Sequence, residues 1–395
     1  MALPDGISRE TFLREYWQQR PLLMRQALPP ASLPLEADEL AGLACEEAFE
    51  SRLIIERGPQ DWELRHGPFT TDDFATLPEA QWTLLVQDVD KYLPGAARLL
   101  EAFDFVPTWR IDDIMVSYAS DRGGVGPHSD AYDVFLMQGP GRRRWRLSFH
   151  DYDDKDLIPG LEQRILSHFE TDQEWVLEAG DVLYLPPGVA HWGVAEGPCM
   201  TYSLGFRAPS QQELAADWFQ HLVSLTSLER LGDPRDLASD RLAELTVGLH
   251  RNAAALMAAL PGPESEEFRI WLGCYLTEPK PQFQILPTDD SWDSQRLENW
   301  LAQGSDLVRH PFARLAWSPL SGNRIAMFCQ GEERLLPERA RPLVRLVSER
   351  RRLPAAELAG LMRSVPDVHA LLLDLLNDGI LEAGAKECCN GKLNR

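Results

Sequence analysis

Hydrophobic and polar residues alternate over short distances through the first half of the chain. Ser8 is a suitable N-cap for a helix that ends before Pro21, and a second helix is expected over 38–47. Strand-like runs follow at 52–55, 62–65, 82–86, 111–118, 132–138, 142–148, 174–177, 182–185 and 200–206. Many short strands separated by Gly, Pro and Asp turns predict a β-sandwich or barrel, not a βαβ sheet.

After Pro209 the pattern becomes helical. Ser210 is a suitable N-cap for a helix that runs through Leu222. Later elements are expected as helices over 240–260 and 264–276, a hairpin formed by 313–317 and 325–329, and helices around Leu343 and Leu371. We therefore expect three parts, a mainly-β domain over 1–208, a helical region over 209–283 and a C-terminal domain over 284–395.

The charge balance narrows the choice of partner. The 395 residues include 39 basic and 61 acidic side chains, for a net charge of −22. Direct binding of nucleic acid is not expected, because phosphate contacts need clustered Lys and Arg. A basic protein or a cationic side chain is a compatible partner through electrostatic steering.

The chain shows no sign of export or of membrane insertion. Its first twenty residues lack the apolar core of a signal peptide, and no run of 18 uncharged apolar residues occurs. The six cysteines are scattered at spacings that fit no zinc motif, so reduced thiols in a cytoplasm are expected. Cys388 and Cys389 could bind a metal, although a frayed terminus is the simpler interpretation.

One pair of motifs predicts a metal site. The sequence Gly-Gly-Val-Gly-Pro-His-Ser-Asp (123–130) places His128 and Asp130 two residues apart, on one face of a strand or its mouth. His191, after the Pro-Pro-Gly turn at 186–188, supplies a third ligand from another strand. Two imidazoles and a carboxylate form the facial triad of non-haem Fe(II) oxygenases, but zinc hydrolases use the same ligands, so the residues alone leave the metal open.

A second feature is an arginine that should point inward. In the strand Arg-Arg-Arg-Trp-Arg-Leu (142–147), alternation places Arg143 on the same face as Trp145 and Leu147. An inward guanidinium is strongly unfavourable without an anion. A dicarboxylate cosubstrate would supply one in bidentate geometry, and an internal Asp or Glu is the alternative.

These residues and the runs around them resemble one known family. Trp109–Asp113, the His-x-Asp motif, Tyr-Asp-Val-Phe (132–135), the arginine-rich strand and Tyr-Ser-Leu-Gly-Phe-Arg-Ala-Pro (202–209) are similar to the bacterial JmjC ribosomal oxygenases that act as arginine 3-hydroxylases on large-subunit ribosomal protein sixteen. Dense agreement covers about residues 8–209. The implied fold is a mainly-β jelly roll (double-stranded β-helix, cupin/JmjC), then an α-helical dimerisation region and a winged-helix-like domain.

The resemblance also implies cofactors and roles. His128, Asp130 and His191 would hold Fe(II), and Arg143 would bind the distal carboxylate of 2-oxoglutarate with help from Ser117 and Thr201. Together with O2, these would support hydroxylation of an arginine side chain at C-3 in a basic large-subunit ribosomal protein. The family further implies a homodimer. The cysteines, charge and hydropathy described above predict that it is cytoplasmic and binds neither nucleic acid directly nor a membrane.

Acidic residues near the motif offer a weaker hint about the substrate. Asp112, Asp113, Asp121, Asp133 and the run at 151–156 could form a negative rim that attracts a basic protein. A solvated acidic loop explains the 151–156 run equally well. The arginine assignment therefore depends on the resemblance.

Three other functions stay open at this point. A cupin-fold zinc or manganese isomerase would not depend on 2-oxoglutarate. A winged-helix transcription regulator would need a basic recognition helix, for which Arg345 and 349–352 are the candidate. A lysine demethylase of the histone type would share the chemistry and release formaldehyde.

Overall fold

The computed structural model of the chain describes residues 1–227, 229–238, 240, 242–365 and 367–384. The chain divides into two compact units, Met1–Ala208 and Pro209–Arg395. The predicted further division between residues 283 and 284 stays a prediction. Cys388 and Cys389, considered above as a metal pair, lie outside the described residues.

The N-terminal unit is built mainly from strands. These are β1 (Leu22–Met24), β2 (Ser51–Gly58), β3 (Asp61–His66), β4 (Trp82–Val86), β5 (Ile111–Ala119), β6 (Val134–Gln138), β7 (Arg142–Ser148), β8 (Gln173–Glu178), β9 (Val182–Leu185), β10 (Ala190–Glu196) and β11 (Cys199–Phe206). Its helices are α1 (Arg9–Glu15), α2 (Ala37–Leu43), α3 (Thr71–Ala75), α4 (Val89–Tyr92) and α5 (Pro94–Leu99).

The strands form two antiparallel sheets. The larger has the order β1-β9-β6-β11-β5-β4-β2-β3, and the smaller has the order β10-β7-β8. Neighbouring strands in space are mostly distant in sequence, as in a double-stranded β-helix. The predicted mainly-β jelly roll is confirmed.

Strand β6 shows why the larger sheet is buried on both faces. Phe135 and Met137 pack into the core beneath the N-terminal helices, which includes Phe12. Val134 and Leu136 belong to a separate apolar cluster between the two sheets. A strand buried on both faces reads as a continuous apolar run, and this is how Val-Phe-Leu-Met appears in the sequence.

Two predicted helices differ at their ends from the observed ones. Ser8 caps α1 as expected, but α1 ends at Glu15 rather than before Pro21, and the chain turns at Gln18 with φ 60°. The helix expected over 240–260 begins only at Val247, because the Thr246 hydroxyl accepts from the Leu249 amide and caps it there. Side-chain capping stops a helix that apolar spacing alone would extend.

The C-terminal unit contains helices and two small antiparallel sheets. The helices are α6 (Gln211–Leu225), α7 (Val247–Ala258), α8 (Glu266–Thr277), α9 (Ser294–Ala302), α10 (Arg341–Glu349), α11 (Ala355–Ser364) and α12 (Asp367–Asn377). The strands are β12 (Leu307–Arg309), β13 (Leu315–Leu320), β14 (Arg324–Cys329), β15 (Glu332–Pro337), β16 (Arg352–Leu353) and β17 (Leu381–Ala383). The predicted hairpin is confirmed as β13 paired with β14, and the structure adds β15 to it.

Two apolar clusters support this unit. Trp218 and Leu222 of α6 pack with Trp271 of α8. A larger cluster includes Leu307 and the buried face of α10, among them Leu343. Among the described residues, no helix combines the length and apolar composition that a bilayer crossing requires.

Candidate metal centre

The three predicted ligands lie together. The ligand atoms of His128, Asp130 and His191 are all within 4.8 Å of one another. Nε2 of His128 is 4.0 Å from Oδ1 of Asp130, and Nε2 of His191 is 3.7 Å from Oδ2 of the same carboxylate. Within the described part of the chain, no other group of three or more His, Cys, Asp or Glu side chains meets at such distances.

The backbone fixes the orientation of both imidazoles. Nδ1 of His128 donates to the Gly126 carbonyl at 3.0 Å, and Nδ1 of His191 donates to the Val189 carbonyl at the same distance. Since a carbonyl can only accept, these bonds place the proton on Nδ1. Nε2 of each ring is therefore left with a lone pair that faces Asp130, as a metal ligand requires.

The two histidines are held opposite each other by a pair of backbone hydrogen bonds. The His128 amide donates to the His191 carbonyl at 3.0 Å, and the reverse bond measures 2.8 Å. Gly126 precedes this bridge with φ 79°, where a Cβ would come within 2.7 Å of the Ile165 side chain. The glycine therefore allows the turn and its close contact with the 149–172 loop.

Electrostatics also suit His191 to a metal. Burial, with a smaller contribution from the neighbouring His128, lowers the pKa of His191 to about 4. The ring is consequently neutral at pH 7, and a cation need not displace a proton from it. Two neutral imidazoles and one carboxylate, all on one side, fit an octahedral divalent ion with open positions.

Arg143 points into the barrel, as its position in the strand predicts. It lies opposite Ala195 and Leu177 in the smaller sheet and is only 4% exposed. Its Nε and Nη2 have no hydrogen-bond partner among the described residues, and its guanidinium lies 5.7 Å from the centroid of the Trp145 ring instead of beside a described carboxylate. The internal Asp or Glu that the sequence left open is therefore not found in the described part of the chain.

Ser117 and Thr201 face the same interior from the larger sheet. They are paired across β5 and β11, and the Ser117 hydroxyl donates to the Thr201 carbonyl at 3.4 Å. Thr201 Oγ1 is buried without a partner among the described residues. A buried guanidinium and a free hydroxyl in one cavity fit the distal carboxylate of a dicarboxylate such as 2-oxoglutarate, because it would satisfy both.

Two further polar groups in this interior were not singled out from the sequence. Gln138 Oε1 and Trp145 Nε1 are also buried without a partner among the described residues. The Trp145 ring centroid is 5.8 Å from that of His191, and a Cβ on Gly193 would approach the Trp145 ring to 2.7 Å. The signal for Gln138 was a polar residue that ends an otherwise apolar strand.

The acidic residues near the motif do not form one rim. Asp113 is on the inner face of β5 with Ser117, because the alternating Ile114 packs on the outer face. Asp133 is fully buried in an ion pair with Arg110, so the expected rim position is wrong for this residue. Its burial removes it from any surface that a partner could touch.

The remaining acids are at the surface or are paired. Asp112 forms an ion pair with Arg207 at 3.5 Å, and Asp121 with Arg122 at 3.6 Å. The acids of the 151–156 run are exposed apart from the half-buried Asp156. Asp113 is therefore the one member of the predicted rim whose side chain is on the inner face of β5, the face of Ser117, four residues before it.

Comparison with known families gives two matches along this chain. The JmjC domain family matches residues 98–214, and the ROXA-like winged helix family matches residues 254–382. The first range contains all six predicted site residues. The second confirms the winged-helix prediction for the C-terminal unit.

Similar proteins cover most of the chain. The ribosomal protein uL16 3-hydroxylase of Escherichia coli is 35% identical over 307 residues, which are 75% of this chain and 79% of that protein. A probable ribosomal oxygenase of Haemophilus influenzae is 40% identical over 54% of this chain and 53% of its own length. The solved structure of the Escherichia coli ribosomal oxygenase YcfD, in complex with cobalt and 2-oxoglutarate, is similar with a TM-score of 0.77, 31% identity, and coverage of 96% of this chain and 99% of that one.

Proposed function

Because this chain belongs to the family of JmjC-domain ribosomal oxygenases, we propose that it is an Fe(II)- and 2-oxoglutarate-dependent enzyme. It adds one oxygen atom from O2 to C-3 of an arginine side chain in a large-subunit ribosomal protein. One observation carries the proposal, namely the His-Asp-His cluster in the same interior as a buried arginine whose Nε and Nη2 have no hydrogen-bond partner among the described residues.

The site residues have two separate roles, holding the metal and binding the cosubstrate. His128, Asp130 and His191 hold the iron, which with 2-oxoglutarate and O2 supplies the oxidising power for hydroxylation when bound. Arg143 binds the distal carboxylate of the cosubstrate. Thr201 donates a hydroxyl hydrogen bond beside it, and Ser117 does so when its hydroxyl turns away from the Thr201 carbonyl, to which it donates at 3.4 Å. The charge of the buried guanidinium is thereby neutralised.

Apolar side chains between the sheets exclude water from this interior. The cluster consists of Val134, Leu136, Trp145, Leu147, Leu177, Leu183 and Leu185. They leave the guanidinium in a surrounding of low polarity, where a carboxylate interacts with it more strongly than in water. The same side chains protect the reacting centre from side reactions with solvent.

The substrate arginine binds to Asp113. This carboxyl is on the same face of β5 as Ser117, beside Gly205 and Tyr132 at the end of the strand nearer to Asp130. A guanidinium is a suitable partner for a carboxylate that has other carboxylates, Asp88, Asp90 and Asp112, nearby.

Substitution of Asp113 tests this anchor. Burial, assisted by the nearby carboxylates Asp88, Asp90 and Asp112, raises the pKa of Asp113 to about 7. Below that pH the carboxyl is neutral and binds a guanidinium weakly, so kcat/KM for an arginine peptide should increase as the pH rises through 7. In Asp113→Asn this increase should be lost, and kcat/KM at pH 8 should fall about 30-fold, equivalent to ~2 kcal/mol.

The matched control for this substitution is Asp121→Asn. Asp121 lies at the surface just after β5, pairs with Arg122 at 3.6 Å, and is not among the carboxylates that raise the pKa of Asp113. Its replacement should leave the pH profile of kcat/KM unchanged. If Asp113→Asn and the unmodified protein had the same pH profile of kcat/KM, Asp113 would not bind the substrate.

The proposed activity is tested directly with the full-length chain. We expect incubation with Fe(II), 2-oxoglutarate and a basic large-subunit ribosomal protein to add the mass of one oxygen atom to a single arginine. Omission of 2-oxoglutarate should abolish the gain, which separates this enzyme from a cupin isomerase. Release of formaldehyde in place of a stable mass gain would indicate a demethylase instead.

The chain acts as a homodimer through its helical region. Phe219 and Val223 are one turn apart on α6 and are 62% and 69% exposed, whereas Trp218 and Leu222 of the same helix are buried. Leu245, just before α7, is also 69% exposed. Large apolar side chains clustered on one element are typical of an interface.

Negative charges introduced at the exposed apolar residues of α6 should therefore dissociate the dimer into monomers. Phe219→Glu/Val223→Glu is expected to give a monomer by light scattering at micromolar concentration, with unchanged circular dichroism, because neither side chain contributes to the buried cluster of α6. Leu286→Glu, at a residue 78% exposed outside the helices, is the control and should stay dimeric. A monomeric unmodified chain would contradict the proposed assembly.

The enzyme acts on a protein in the cytoplasm and does not bind nucleic acid directly. In the candidate basic segment, Arg345 pairs with Glu349 and Arg350 with Glu357, so acids neutralise much of its charge. Cys45, Cys199, Cys274 and Cys329 are free thiols, which is compatible with a reducing compartment. Sequence-specific binding in a gel-shift assay at physiological salt would favour a transcription regulator instead.

A further inference from the structure

A buried ion pair lies three residues beyond the Asp130 ligand. Asp133 is fully buried, and its Oδ2 is 3.0 Å from Nη1 of Arg110, whose side chain is 8% exposed. The Tyr184 hydroxyl donates to Asp133 Oδ1 at 2.5 Å and accepts from the Gln18 backbone amide at 2.7 Å. The Gln18 side-chain Nε2 donates to Asp133 Oδ2 at 3.3 Å. Every oxygen of this carboxylate therefore has a partner, and three separate parts of the chain converge on it.

The pair connects the strand ends that surround the metal centre. Arg110 directly precedes β5, and its Nε donates to the carbonyl of Arg207, which directly follows β11. Asp133 directly precedes β6, and Asp130 and Tyr132 lie in the short segment just before it. Since β6, β11 and β5 are neighbours in the larger sheet, the ion pair crosses three adjacent strands at one edge of the cavity.

The cost of this arrangement indicates a role beyond stability. Both charged groups of a buried ion pair lose their hydration, and apolar residues of similar size in their place are often equally or more stabilising. The surroundings are apolar and aromatic, with Trp17 5.4 Å from the Arg110 guanidinium. The ion pair supplies a directional link between the segment 130–133 and the start of β5. Apolar packing would not supply such a link.

We propose that Arg110 and Asp133 are positioning residues that hold the Asp130 carboxylate and the Tyr132 ring in register with the two histidines. Asp130 is fixed on its other side by the Gly188 amide, which donates to its carbonyl at 2.8 Å. Asp133 fixes the far end of the same short segment. The inference rests on the proposed metal site and adds to it the link that sets the geometry of its carboxylate.

Two variants test the link without leaving a buried charge unpaired. Arg110→Met/Asp133→Asn removes both charges, while the new amide can still accept from Tyr184 and pair with Gln18. Tyr184→Phe is milder and removes one hydroxyl that donates to Asp133. We expect the Co(II) dissociation constant, measured by absorption, to increase on the order of tenfold in the double variant and less in Tyr184→Phe, as for residues that orient metal ligands.

A second readout distinguishes positioning from stability. Both variants should consume more 2-oxoglutarate for each arginine hydroxylated, because a displaced Asp130 and Tyr132 no longer align cosubstrate turnover with the substrate. Tyr202→Phe is the matched control. Tyr202 is also fully buried on the outer face of the larger sheet, and its hydroxyl likewise accepts from a backbone amide, that of Leu35, but it does not contact Asp133.

The outcomes separate this inference from the proposed function. If Tyr184→Phe and Tyr202→Phe share the Co(II) affinity and the coupling ratio of the unmodified chain, the pair is structural and the inference is wrong, whether or not the double variant folds. An unmodified chain that binds Co(II) but hydroxylates no arginine overturns the proposed function alone. An unmodified chain that does not bind Co(II) overturns both.

Discussion

Replacing His128 with alanine is expected to abolish arginine hydroxylation and to weaken binding of Co(II) or Fe(II) by more than 100-fold. Residues that only orient a metal ligand contribute about 10- to 100-fold to affinity, so the loss of a ligand itself should exceed that range. The remaining pair, Asp130 and His191, offers two ligand atoms, whereas catalytic zinc sites and the Fe(II) facial triad take three from the protein. Calorimetric titration with Co(II) and mass spectrometry of the ribosomal protein measure both effects.

His66→Ala is the control for this variant. His66 is a half-exposed histidine of the same unit, and it pairs with Glu162 at the surface. It should bind Co(II) and hydroxylate as the unmodified chain does. If His128→Ala retained metal-dependent hydroxylation, the facial arrangement of the three ligands would not be the source of the activity.

The sequence predicted the fold most successfully where local signals and burial agree. Ser210 caps α6 as expected, and its capping box is completed by Glu213, three residues later. The alternation in β7 correctly placed Arg143 and Trp145 on the inward face. These inferences succeed because the side-chain period of a strand and the chemistry of a cap are properties of neighbouring residues.

Contacts between distant segments set the limit of such inference. Asp113 and Asp133 look alike in the sequence, as acids next to the motif, yet one faces the barrel and the other is buried against Arg110. The difference depends on strand pairing and on Gln18, which reaches Asp133 from the N-terminal segment. Nothing within a few residues of either aspartate indicates its partner.

The metal ligands form an intermediate case. The spacing of His128 and Asp130 is local, but their meeting with His191 depends on the backbone bridge between His128 and His191, which is in strand β10. The sequence could supply the ligand types and an order along the chain. The Nδ1 bonds to backbone carbonyls, which aim both rings, become visible only in three dimensions.

Arg143→Met is expected to remove the binding of 2-oxoglutarate while leaving the metal site intact. Charge-assisted hydrogen bonds contribute about 1.5–3 kcal/mol each, so losing a bidentate contact of ~3 kcal/mol should raise the KM for 2-oxoglutarate on the order of 100-fold. The Co(II) dissociation constant should not change, because Arg143 contacts none of the three ligands through a hydrogen bond or ion pair among the described residues. Steady-state assays with varied 2-oxoglutarate and Co(II) titrations separate the two effects.

Arg143→Met should also change the thermal stability of the chain in a defined direction. In the absence of 2-oxoglutarate the buried guanidinium has no anionic partner among the described residues, so methionine should leave the melting temperature unchanged or raise it. Added 2-oxoglutarate should stabilise the unmodified chain and not the variant, since a ligand stabilises only the state that binds it. Arg144→Met is the matched control, one residue away on the opposite face, where Arg144 pairs with Glu196. In Arg144→Met, added 2-oxoglutarate should raise the melting temperature as much as in the unmodified chain. If it also raised the melting temperature of Arg143→Met, the cosubstrate would bind elsewhere.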